Sequence, residues 1–180
     1  MTTTPRSFFD AAMLVLASQG FAGLTIAGLC EEVGVTSGSF YHHFGSWAGF
    51  VDSLMLHWEE EQAARIRATT RVPAKAIDQI GMLAELAKER PHDAEVAIRA
   101  WSRNDESVAA AQARVDDERA RAVDLVFSRL LDEAEARTLG HVAHAAFVGL
   151  QELAHRMSAA ELDRAIDTIA ELIVSRVADR

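Results

Sequence analysis

The sequence predicts an all-α fold of about nine helices, three short ones at the N-terminus followed by a body of longer ones. Three observations predict it. Sustained period-2 alternation is absent and β-branched residues are scattered, so no strand is expected. Apolar residues recur at i, i+3, i+4 and i+7 along most of the chain. Residues that start and stop helices fall at the ends of those periodic stretches.

The elements follow in order. Phe9, Ala12, Met13 and Leu16 share one face of a first helix, which Gly20 ends. Ile26, Leu29, Cys30 and Val33 repeat the spacing over two turns, with Thr25 as cap, Leu24 and Leu29 as a hydrophobic staple and Gly34 as stop. Thr36 is expected to cap a third short helix, stapled by Val35 and Phe40, with Phe44 one turn on. Ser46 caps a longer fourth helix bearing Trp47, Val51, Leu54, Met55 and Trp58 on one face. Pro73 is expected at the first position of a helix running to about Glu89. Pro91–His92–Asp93 reads as a break with Asp93 as cap, and Asn104–Asp105 as another before a helix from about Glu106 to Leu131. An eighth helix covers roughly 134–157, and Ser158 with Glu161 forms a capping box for the last, from Ala159 to about Ala178. Short helices are unstable alone, so the first three must pack as one unit. Two domains are therefore expected, 1–47 and 48–180.

Composition narrows the function. Across 180 residues, 18 Lys and Arg against 27 Asp and Glu give a formal charge of −9, which argues against coating nucleic acid non-specifically. A hydrophobic fraction of 49% excludes intrinsic disorder. The single cysteine excludes an internal disulfide and fits a reducing, cytoplasmic setting; Cys30 falls on a buried helix face and reads as core. No apolar run reaches the ~18–20 residues of a membrane span, and 11–17 lacks the basic start of a signal peptide.

Between Thr25 and Phe44 the chain reads helix, tight Gly34–Val35 turn, helix. With Phe40 and Phe44 turned inward, Ser37, Gly38, Ser39, Tyr41, His42 and His43 share the outer face. Small residues let a helix sit deep in a major groove, and serine and histidine can meet base edges or phosphate there. Thr25 and Thr36 stand at helix N-termini, whose free N–H groups favour a phosphate. A plain helical hairpin with capping serines and solvated histidines accounts for the same spacing.

The run Gly20–Phe50 resembles the DNA-binding segment of TetR-family transcriptional regulators. The matching positions are Gly20, Thr25, Ile26, Ala27, Gly34, Val35, Gly38, Tyr41, His43, Phe44 and Ser46. The resemblance implies that Thr25, Tyr41 and His43 hold phosphates and that Ser37, Gly38, Ser39 and His42 face base edges. Thr36 would cap its helix and touch the DNA backbone. Where the family usually carries a lysine this chain has Trp47, whose indole N–H can donate to a phosphate without the charge. Residues 1–47 hold one basic residue, Arg6, against Asp10, Glu31 and Glu32, a formal −2. Weaker and less salt-sensitive DNA binding than in a typical relative is expected, or dependence on protonated His42 and His43.

One helix-turn-helix reads few base pairs, so a homodimer on palindromic double-stranded DNA is expected, with half-sites about 34 Å apart or a multiple of that. Two apolar stripes are candidates for the dimer face, one through Val142, Ala146, Leu150 and Leu153, the other through Ile166, Ile169, Leu172 and Ile173. Both could instead be consumed within the monomer. Met55, Trp58, Met82, Trp101, Phe127 and Phe147, with His144 and Gln151 as polar partners, could wall an effector cavity or be ordinary core. The resemblance implies an unidentified small-molecule effector and, most simply, a repressor released by it. The alternative is a dimeric helical small-molecule-binding protein whose head has lost useful DNA affinity. No catalytic site, metal site or cofactor is expected. His144 and His155 lie about 16 Å apart on one helix, and His141 with His144 or His57 with Glu61 lack further ligands. Acidic runs such as Asp116–Glu118 read as solvated helix faces.

Overall fold

The computed structural model describes residues 4–89 and 92–178, and among them there is no strand. Nine α-helices are present in this range: α1 Pro5–Gln19, α2 Ile26–Val33, α3 Ser37–Phe44, α4 Trp47–Thr70, α5 Ala76–Lys88, α6 His92–Trp101, α7 Glu106–Phe127, α8 Glu133–Leu153 and α9 Ala159–Ala178. Single 3₁₀ turns cover Phe21–Gly23 and Ala154–Arg156. None of the described helices is long and apolar enough to cross a membrane.

Local chemistry explains most boundaries. Thr25 Oγ1 accepts from the Gly28 amide at 3.0 Å, and Ser46 Oγ from that of Gly49 at 3.0 Å. Asp105 and Asp132 cap α7 and α8 through Val108 N and Glu135 N, at 3.2 and 3.0 Å. Ser158 and Glu161 form the expected reciprocal box, with Ser158 N donating to Glu161 Oε2 at 2.8 Å and Glu161 N to Ser158 Oγ at 3.3 Å.

Three expectations are corrected. Thr36 has extended N-cap geometry, but its hydroxyl makes no capping bond; the Ser39 amide bonds the Thr36 carbonyl instead, at 3.0 Å. Pro73 does not open α5, which starts three residues later at Ala76; the proline that does open a helix is Pro5. The turn before α5 is held by Gln79, whose amide nitrogen donates to the Thr70 and Val72 carbonyls at 3.3 and 3.1 Å. Asp93 lies inside the first turn of α6 rather than at its cap, and Pro91 falls outside the described residues.

The chain divides into two compact units, one built from 4–61 with 92–114 and the other from 62–89 with 115–178. In the first, α1 packs on α6 and α2, and α2 on α3. Its centre is aromatic. Phe40 is fully buried, 5.7 Å from Phe8, 5.2 Å from Phe44 and 5.3 Å from Phe50, which ties α1, α3 and α4 together. Glu59 accepts from Arg114 Nε at 2.7 Å, and Asp52 accepts from Ser107 Oγ at 2.6 Å, which fixes α7 against α4 within this unit.

In the second unit α5 packs on α9 and α8 on α9, around Ile80, Val126, Phe127, Ala136 and Ile173. Lys88 on α5 joins Asp167 on α9 at 2.6 Å and Glu85 at 2.7 Å. Hydrogen bonds to Asp167 and then Glu85 push the lysine well above its ordinary range.

The α3–α4 junction leaves no room for a side chain at position 49, where a Cβ would collide with the Phe44 carbonyl oxygen. Gly49→Ala is therefore expected to destabilise the first unit by about 1–3 kcal/mol, read as a lower urea midpoint at unchanged m-value. The Ser158 backbone amide, then its hydroxyl, hold the Glu161 carboxyl below its ordinary value. A depressed folded-state value means the stabilisation is present above the unfolded carboxylate range and is lost as the pH falls through the folded value. The stability difference between wild type and Glu161→Gln should be largest near neutral pH and shrink below about pH 4, measured by urea unfolding across pH.

Candidate nucleic-acid interface and ligand cavity

The α2–α3 segment is set by one turn. Gly34 is left-handed at φ 75°, ψ 37°; the Val35 amide donates to the Cys30 carbonyl at 2.8 Å and the Gly34 amide to that of Glu31 at 3.1 Å. This is a Schellman closure, and the positive φ is what glycine tolerates and other residues resist. Cys30 is buried on the inner face of α2, where burial pushes its thiol up and away from reactivity.

Below the turn, α3 turns Phe40 inward and leaves Ser37, Gly38, Tyr41 and His42 exposed on one arc. Tyr41 is 50% exposed and braced edge-on against Phe40 at 5.7 Å. Ser39 and His43 are half-buried at the flank of that arc, and the His43 ring packs on Phe8 at 5.9 Å. Thr25 and Thr36 are both exposed, Thr25 with its hydroxyl engaged as a cap. Trp47 is half-buried, its ring parallel to Phe40 at 6.4 Å and tilted on Phe50 at 5.3 Å, so position 47 is a wall of the aromatic core.

The electrostatics of this face are sparse. Helices α2 and α3 contain no Lys or Arg. Arg6 is drawn to Glu61 at 3.6 Å, and Glu61 also lies 3.5 Å from His57 Nε2. Glu31 and Glu32 are exposed near the end of α2.

The second unit holds a cavity of about 130 Å³ walled by residues of α4, α5, α7, α8 and α9. Of the candidates from sequence, Phe127, His144 and Phe147 line it. Met82 and Gln151 belong to the same unit but are not on its wall, and Met55, Trp58 and Trp101 belong to the first unit. Trp101 there stacks on Phe21 at 6.1 Å. Leu150, Ile166, Ile169 and Ile173, read from sequence as dimer-face residues, also line the cavity. Val142, Leu153 and Leu172 are 55, 48 and 65% exposed, and Ala146 is half-buried.

Sequence reasoning missed Arg119, which lines the cavity at 6% exposure. It donates to Gln62 Oε1 at 3.3 Å and Asp116 Oδ1 at 3.4 Å, with its guanidinium carbon 5.5 Å from the centroid of Phe147. A signal was available: Val115, Arg119, Ala122 and Val126 follow helical spacing, so position 119 belongs to the buried stripe of α7 rather than to the solvated run beside it.

Comparison with known proteins agrees with this architecture. Residues 8–54 match the family model described as bacterial regulatory proteins, tetR family. The HTH-type transcriptional regulator UidR of Escherichia coli K12 is 24% identical over 91 residues, covering 51% of this chain and 44% of that relative, so this chain spans less than half of its length. A transcriptional regulator from Rhodococcus sp. Rha1 superposes with a TM-score of 0.81 at 17% identity, over 96% of this chain and 97% of the other. A TetR transcription regulator from Haloarcula marismortui gives 0.75 at 15% identity over 97% and 96%. A protein from Saccharomonospora viridis solved in complex with choline gives 0.80 at 15% identity over 93% and 95%. Residues 8–54 thus match the tetR-family model of bacterial regulatory proteins, and the all-helical fold is shared with these solved regulators along nearly the whole chain.

Proposed function

We propose that this chain is a DNA-binding transcriptional regulator, a homodimer reading a palindromic operator and acting as a repressor that a small-molecule effector releases. The exposed arc of Ser37, Gly38, Tyr41 and His42 on α3 carries the proposal. Small residues at its start allow close approach to a major groove, and Tyr41 and His42 supply hydrogen-bonding groups one turn later. Residues 1–47 would be the reading head. The names of the relatives support a regulator, and the family is one of transcriptional regulators rather than enzymes.

A dimer is supported by Val142, Leu153 and Leu172, three large apolar side chains left exposed on α8 and α9. Ala146 and the exposed Gly149 beside them would permit close helix approach. The effector reading rests on the cavity, and the choline complex of the Saccharomonospora viridis protein shows that a protein of this fold can hold a small molecule. A second reading, a ligand-binding dimer with weak DNA affinity, draws on the formal −2 of 1–47 and on the engagement of Arg6 with Glu61.

Ser37→Ala and His42→Ala should each weaken or re-specify operator binding by about 1–3 kcal/mol in gel shifts with DNA flanking the coding region. Both side chains are exposed, so unfolding free energies should stay within about 0.5 kcal/mol of wild type. Unchanged binding by both variants would remove α3 as the reading element. With so few cations near the arc, the log–log salt dependence of operator binding should be shallower than about −6; a steeper slope would show phosphate contacts that this arrangement does not provide.

A further inference from the structure

We infer that the cavity of the second unit takes a small apolar monocarboxylate, with its carboxylate on the Arg119 guanidinium and its hydrocarbon body against the aliphatic wall. The inference rests on the reading of this cavity as the effector site. Its wall is made by side chains such as Ile66, Leu83, Phe127 and Ile169, and only Arg119 and His144 on it are polar. Among the described residues no carboxylate lines it.

Three ligand charges can be weighed against that wall. A guanidinium is always protonated and has donors only, so at 6% exposure it presents a fixed positive charge in a low-dielectric site. A cationic ligand would place a second positive charge beside it, with Asp116, 3.4 Å from the guanidinium and off the cavity wall, as counter-charge. Arg119 already stands over Phe147, one of the two rings on the wall, which leaves Phe127 as the other aromatic surface for a quaternary ammonium. A neutral ligand would gain the apolar contacts but offer the guanidinium a weaker acceptor. An anionic carboxylate gains both, since a planar fork of N–H donors matches two carboxylate oxygens. Two of the bonds of Arg119, to Gln62 and Asp116, run at 3.3 and 3.4 Å, and an incoming carboxylate would share or displace partners of this guanidinium. Asp116 is not on the cavity wall, and it lies 4.0 Å from His144 Nε2, which is. An engineered cavity of ~150 Å³ holds benzene, so about 130 Å³ calls for a ligand of that order.

The test titrates the full chain calorimetrically with hexanoate, hexanamide and hexylamine, three probes of one length that differ in charge. Hexanoate should bind about tenfold or more tightly than hexanamide, and hexylamine weakest. Arg119→Gln should remove the preference for the acid while leaving hexanamide binding unchanged, and Arg119→Lys should restore part of it. Equal or tighter binding of the amide or the amine, or binding of none of the three, overturns the inference. If Arg119→Gln fails to fold, the acid-to-amide ratio of the wild type still decides. Gel shifts on the same samples separate the two readings. Operator binding without acid binding overturns only the ligand class. Acid binding without operator binding overturns only the regulator.

Discussion

Phe40 is the contact on which the first unit depends. One fully buried ring meets Phe8 of α1, Phe44 of its own helix and Phe50 of α4, with Trp47 lying parallel on its outer side. An eight-residue helix such as α3 cannot hold itself together in water, since nucleation consumes most of what its few backbone bonds return. Its geometry is therefore dictated by the aromatic side it buries. The exposed arc of Ser37, Gly38, Tyr41 and His42 is the geometric complement of that burial, because residues on the opposite side of a 3.6-residue repeat have nowhere else to point. Core and interface in this unit are one constraint seen from two sides.

Position 47 illustrates the coupling. A long cation there could reach out to a phosphate, whereas an indole contributes area to the core. The ring of Trp47 is seated on Phe40 and Phe50. What the surface loses in charge, the aromatic core gains in contact, and the face beside it has no arginine or lysine from α2 or α3. The total charge of −9 says little about this, because −7 of it lies in residues 48–180. Charge counts bear on an interface only when they are taken over the residues that form it.

The second unit poses the opposite problem, a charge placed inside. Arg119 shares the buried stripe of α7 with Val115, Ala122 and Val126, and its cost is offset by Gln62, Asp116 and the ring of Phe147. Burying a charge is unfavourable unless it is paired and hydrogen-bonded, so such a residue on the wall of an otherwise apolar cavity restricts what can share the space. The clamp of Lys88 on Asp167 and Glu85 holds α5 to α9, two of the helices that wall the cavity.

Local information in the chain was sufficient for the helices, the caps at Thr25, Ser46 and Ser158, and the Gly34 turn, because each is decided by residues within four positions of one another. It failed at Thr36, where the expected side-chain cap gives way to a backbone bond, and at Pro73, where Gln79 reaches back to hold the turn. The second depends on a residue reaching back seven to nine positions; the first is a local competition between the hydroxyl and the carbonyl of one residue. The sequence alone therefore determined the fold class, the helix-turn-helix and the outward side of α3, since periodicity encodes which face is buried. Only the tertiary structure decided that Ile166 and Ile173 wall a cavity while Val142, Leu153 and Leu172 stay exposed, and that Arg119 is inside. An apolar stripe records that a helix face avoids water; which partner covers it depends on helices far apart in the chain, and that only packing reveals.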